Sequence, residues 1–115
     1  MSFKLNILTE SNSNPSHLNL DYLQKYGNGE IFIETGTYLG DTVKLALSSG
    51  YKKIHSIELD LDLFQKAQEM FKNDDRVTIW YGDSVDCLDN IMKDITSPAT
   101  FWLDAHASEI GRAHV

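Results

Sequence analysis

Four short apolar runs, each closed by an acid, alternate with three stretches of helical periodicity. The runs are Ile31 to Glu34, Lys53 to Glu58, Val77 to Tyr81 with Gly82 and Asp83 after it, and Ala99 to Leu103 followed by Asp104. Between them lie Thr42 to Ser49, a segment with Leu61, Phe64, Ala67, Met70 and Phe71 at helical spacing, and one with Val85, Leu88, Ile91, Met92 and Ile95 on a single stripe. The first run, apolar on both faces, reads as a buried parallel strand. Strands alternating with helices of about ten residues imply parallel pairing and right-handed crossovers, with helices on both faces of one sheet. The expected class is therefore α/β, three layers deep, with a mostly parallel sheet.

Parallel pairing brings all four strand exits to one rim. Glu34, Glu58, Asp83 and Asp104 would then meet where such sheets bind ligands, outside the carboxyl ends of the strands. Any one of these acids could simply cap the next helix, but four in a row point to a site. Asp60 and Ser84 are the residues expected to cap, and Asp41 or Thr42 is expected to cap the first crossover helix.

The first exit is the most informative. Ile31-Phe32-Ile33-Glu34-Thr35-Gly36-Thr37-Tyr38-Leu39-Gly40-Asp41-Thr42 reads as strand, glycine turn and helix start. Gly36 and Gly40 suit a turn whose backbone approaches a ligand closely. A dinucleotide fingerprint, G-x-G-x-x-G, would need glycine at positions 38 and 41, where Tyr38 and Asp41 stand. An acidic rim would also repel a pyrophosphate.

Composition bounds the rest. A chain of 115 residues has room for one small domain, and its 42% hydrophobic content fits a folded one. The net charge of −7 argues against a phosphate-backbone partner, so a small-molecule substrate and no nucleic acid are expected. Cys87 is the only cysteine and has no partner for a disulfide, which fits a reducing, cytoplasmic setting. No signal peptide is apparent at Met1 to Thr9, and no run approaches the length that spans a membrane.

Three regions follow: a lead-in at 1–29, the core at 30–108 and a tail at 109–115. In the lead-in, Phe3 to Leu8 alternates like a short edge strand, and Pro15-Ser16 could open a helix with Leu18, Leu20, Tyr22 and Leu23 that ends at Gly27. His17 reads as surface, and His55, inside the second run, as structural. Ile110 to Val115 can be encoded as ATC GGA AGA GCA CAC GTC, a string that resembles a sequencing-adapter read, so Glu109 onward is expected to be non-native.

The pattern Glu34-x-Gly36-x-x-x-Gly40 resembles motif I of the class I S-adenosylmethionine-dependent methyltransferases, whose commonest form has a third glycine where this chain has Tyr38. The resemblance covers about Glu30 to His106 and implies a Rossmann-like methyltransferase fold cut after its fourth core strand. It also implies S-adenosylmethionine, a net cation that suits an acidic rim, as cofactor. By the same resemblance, Glu34, Gly36, Thr37, Tyr38 and Gly40 enclose the methionine part. Glu58 accepts hydrogen bonds from the ribose hydroxyls, Asp83 with Ser84 meets the adenine amino group, and Asp104 lies near the donor methyl.

His106 can serve as general base, since imidazole titrates near neutral pH. Asp104 and His106 could instead help hold a divalent metal, though two ligands do not make a metal site. The expected reaction is methylation, at oxygen, of a small or sugar-containing molecule. The alternatives are a non-catalytic nucleotide-binding or interaction domain, and a dehydrogenase-type domain. With no following strand, Ala99 to Leu103 is expected to be a bare apolar edge, leaving the chain inactive alone and prone to aggregate.

Overall fold

The computed structural model describes residues 5–9, 20–27 and 29–103. Asp104, His106, His17, Pro15-Ser16 and the tail 109–115 lie outside the described residues. The elements are β1 (Leu5–Thr9), α1 (Leu20–Tyr26), β2 (Ile31–Thr35), α2 (Asp41–Ser48), β3 (Lys53–Glu58), α3 (Leu61–Phe71), β4 (Val77–Tyr81), α4 (Ser84–Lys93) and β5 (Ala99–Leu103). They build one five-stranded sheet in the order β1-β5-β2-β3-β4, with every neighbouring pair parallel. The α/β expectation holds.

Helices cover both faces, and the strands explain why. Alternate residues of a strand face opposite ways. Phe32 and Ile54 point into one core with Leu23 of α1, Val43 and Ala46 of α2, and Ala67 and Phe71 of α3. Ile33 and Ile57 point into the other, with Cys87 and Ile91 of α4, then Ile95, and with Ala99 and Phe101 of β5. Tyr51 spans from the first core to β5, its hydroxyl 2.9 Å from Thr100 Oγ1.

Several local expectations shift. Leu61 and Met70 are half exposed, so the buried stripe of α3 narrows to Ala67 and Phe71 with Phe64 beside them. Val85 is 75% exposed. Because α4 starts at Ser84, its inward face is set by Cys87 and Ile91, one turn apart, with Leu88 and Met92 flanking. The lead-in helix begins at Leu20 and ends just before Gly27, as expected of its end.

The largest correction concerns β5. It is not a bare edge: β1 lies parallel to it along its whole length, from Leu5 opposite Ala99 to Thr9 opposite Leu103. β2 pairs with its other side. Phe101 and Trp102 are accordingly buried. The N-terminal segment is an edge strand, as its alternation suggested, but it edges the far end of the chain.

Candidate cofactor site at the strand exits

The exits of β2, β3 and β4 do lie together, and hydrogen bonds lash them to one another. Leaving β2, the Gly36 N–H donates to Ile57 O at 2.7 Å. Thr37 Oγ1 and Ser56 Oγ are 2.6 Å apart and buried. The Tyr38 N–H donates to Glu58 Oε1 at 2.9 Å. Leaving β4, the Gly82 N–H donates to the Glu58 carbonyl at 3.0 Å. The rim is thus a sewn edge rather than three independent loops.

The turn after β2 needs the left-handed backbone at three places. Gly36 has φ 85, Gly40 φ 86 and Tyr38 φ 50. Glycine takes this conformation without a steric penalty, and tyrosine does not. A bond from the Gly40 N–H to Thr37 O, 2.9 Å, closes the turn. Gly40 is itself the N-cap of α2, and no side chain caps that helix; Asp41 and Thr42 lie inside it. The expected side-chain cap is absent because a left-handed Gly40 brings the chain into the helix directly.

The acids on the rim divide into two kinds. Glu34 and Glu58 are buried, at 1% and 5% exposure, and both lie on the face with Phe32 and Ile54. Both Glu58 oxygens are engaged: Oε1 with Tyr38 N–H and Oε2 with Asp60 N–H at 2.9 Å. A carboxylate has about four acceptor positions, so capacity for a ligand's hydroxyls remains.

Asp83 is exposed instead, and it caps α4 by accepting the Asp86 N–H at 3.0 Å. That bond holds its carboxyl below the usual range, while the Asp83 charge pushes the neighbouring Asp86 up. Ser84, expected as the cap, is the first residue of the helix. Asp60 caps α3 as expected, accepting the Leu63 N–H at 3.0 Å.

One side chain that the sequence did not single out belongs here. Thr35, the last residue of β2, is buried, and its hydroxyl has no partner among the described residues. A buried polar group of this kind is costly unless a ligand or water meets it. It lies beside Gly36, on the face of β2 opposite Glu34.

His55 is structural, as read from its place in β3. Its Nδ1 accepts the Trp80 Nε1–H at 3.0 Å, which fixes the neutral ring. Burial, with help from Lys53 and against Asp94, pulls its pKa down to about 4. Among the described residues no group of three or more His, Cys, Asp or Glu is placed to hold a metal ion, and the two suggested ligands, Asp104 and His106, lie beyond them. Nor is any helix among them long and apolar enough to cross a membrane.

The chain is 37% identical over 68 residues to the ribosomal RNA small subunit methyltransferase A of Prochlorococcus marinus (strain MIT 9301). The match covers 58% of this chain and 25% of that protein. The protein of the same name from strain MIT 9215 is 35% identical over the same length and shares. These matches support the S-adenosylmethionine-dependent methyltransferase family. No family model and no solved structure matches. The chain spans about a quarter of the length of the curated relatives it matches.

The methyltransferase resemblance drawn from motif I therefore stands. The expectation of a small-molecule acceptor and no nucleic acid is overturned, because these methyltransferases are named for ribosomal RNA. The net charge of −7 describes these 115 residues alone, and the 68 that match cover 25% of such a protein, so the charge does not report on contacts made by the rest.

Proposed function

We propose that the whole protein is an S-adenosylmethionine-dependent methyltransferase acting on RNA, and that this chain carries most of its cofactor-binding part. The observation that supports this most is the buried Glu58 carboxylate at the exit of β3, bonded to the glycine turn on a chain whose relatives are methyltransferases. Bound there, the cofactor would supply an electrophilic methyl group on a sulfonium.

The residues fit such a ligand. Glu34, Gly36, Thr37, Tyr38 and Gly40 would line the methionine part, with the Thr35 hydroxyl as a further donor or acceptor. Glu58 would take the ribose hydroxyls on its remaining lone pairs. Asp83, with Ser84 beside it, would meet the adenine amino group from an exposed position that a ligand can reach. Asp104 and His106 remain the candidates for action on the acceptor, His106 as base. The chain's own contribution is positioning of the donor, the larger share of catalysis in a direct transfer. The relatives' names support RNA as the acceptor class. On its own the chain would bind cofactor without turnover.

Calorimetry tests this reading. The chain should bind S-adenosylhomocysteine and not NAD, and Glu58→Ala should weaken that binding by about 1–3 kcal/mol, the range for hydrogen bonds to a charged group. No binding of S-adenosylhomocysteine, or binding of NAD in preference, would remove the cofactor assignment, and an unchanged affinity in Glu58→Ala would remove Glu58 from the site.

A further inference from the structure

Tyr38 stands in the left-handed region at φ 50, alone among the described non-glycine residues. A tyrosine does not rest there by preference, since its Cβ crowds the backbone. A backbone of this kind persists only where its surroundings over-determine it. The surroundings are explicit. The Tyr38 N–H is tied to Glu58 Oε1, and the other oxygen of the same carboxylate is tied to Asp60 N–H at the cap of α3, both at 2.9 Å. Glu58 is 5% exposed, and its own main chain is held on both sides by β3 pairing and by Gly82 N–H on its carbonyl. The carboxylate is therefore a fixed post and the turn is the part that would otherwise move.

We propose that Glu58 is a positioning residue for the turn: it holds Tyr38 left-handed, so that the turn from Gly36 to Gly40 is formed before any cofactor arrives. Its consequence for binding rests on the cofactor site proposed above, but the clamp itself does not. Two functions then share one side chain. One of its acceptor positions holds the turn, a second holds the Asp60 N–H, and the others would be left for the ligand. The clamp also explains how a tyrosine is tolerated at a position where glycine would hold the same backbone unaided. A glycine at 38 should make the turn independent of Glu58.

Hydrogen exchange on the full chain without ligand tests this. The readout is the Gly40 amide, whose bond to Thr37 O closes the turn and involves no atom of the Glu58 side chain. The amides of Phe32 and Ile33 in β2 serve as the reference, so that a general loss of stability, which speeds all of them, is separated from loosening of the turn. Glu58→Gln can satisfy only one of the two N–H groups, and Glu58→Ala neither. Glu58→Ala should speed Gly40 exchange about tenfold over the reference, the factor that matches a left-handed penalty, and Glu58→Gln by less, since its amide oxygen can keep the Tyr38 N–H.

Adding Tyr38→Gly, or Tyr38→Asn, should return Gly40 to within about threefold of the unmodified chain, because glycine and asparagine accept the left-handed backbone. Unchanged Gly40 exchange in both Glu58 variants, or no recovery in either double variant, overturns the proposal. Titration of S-adenosylhomocysteine into the same proteins is scored separately. Recovery of the turn on a chain that binds no S-adenosylhomocysteine would uphold the clamp and sink the cofactor reading.

Discussion

The exits of β3 and β4 are neighbours on one rim, yet they are built in opposite ways. At β3 the acid is buried, both its oxygens are occupied, and the adjoining turn is tied down by Gly36, Thr37 and Tyr38. At β4 the acid is exposed, serves its own helix as a cap, and sits among the exposed side chains of Tyr81 and Val85. The first arrangement fixes a shape in advance, and the second leaves a surface on which a ligand can settle. A cofactor with a polar tail and a flat base needs both: a rigid cradle at one end and an accessible, partly apolar shelf at the other. Acids that look equivalent in the sequence therefore differ in what they do.

The rigid side should break hardest. In Gly40→Ala the new Cβ would need φ 86 and would lie 3.0 Å from Phe71 Cε2 and 3.1 Å from Met70 Sδ. We expect a loss of about 2–4 kcal/mol by urea unfolding, from backbone strain and overpacking together. Gly50→Ala is the control, since φ is 92 but no atom lies within 4 Å of the added Cβ; it should lose only the backbone share, about 1–2 kcal/mol. Equal losses would mean that the rim turn is no tighter than an open one.

An intermediate effect is expected from His55, which links β3 to β4 through Trp80. Burial lowers its pKa from 6.5 to about 4, so between those values the unfolded chain binds the extra proton and the folded one does not. Stability from this group is therefore complete above about pH 6.5 and declines as the pH falls toward 4. Discounted for residual solvent screening, the decline is about 1–2 kcal/mol. Unfolding at pH 7.5 and 4.5 should show it in the unmodified chain and not in His55→Gln. Parallel behaviour of the two proteins would show that the imidazole is solvated after all.

The open side should respond least. Asp83→Ala removes the cap of α4 and should lower the urea midpoint slightly while leaving the slope unchanged. Because its hydrogen bond to Asp86 N–H lowers the Asp83 pKa, the cap acts above the ordinary carboxylate range and is lost as acid protonates it. A drop as large as that of Gly40→Ala would erase the contrast between the two exits.

The sheet from β2 to β5 was legible because short strand-like segments, each with an acid at or just after its end, alternate with helices that carry their own periodicity. The place of β1 was not. Leu5 pairs with Ala99, and five alternating residues carry no record of a partner that far along the chain. Among the site residues, Gly36, Gly40 and Glu58 announced themselves by type and position. The clamp did not, because its donors are the backbone N–H groups of Tyr38 and Asp60, which no side-chain pattern encodes. Asp83 and Ser84 are both good caps, so sequence alone misplaced the cap by one residue, and that same offset turned Val85 outward. Thr35 gave no signal, since threonine at a strand end is commonplace.

The seating of β5 between β1 and β2 sets an order of events for the newborn polypeptide. As the chain leaves the ribosome, β2, β3 and β4 can assemble in sequence, each joining the last through a nearby helix. β1 has emerged before all of them and has nothing to pair with. One flank of β2 meanwhile keeps its backbone groups unmatched, close to Phe32 and Ile33. Both gaps can close only once Ala99 to Leu103 is available, and the pairing of Leu5 with Ala99 is the most non-local in the sheet. Until then the growing chain exposes the kind of sticky flank that chaperones shield.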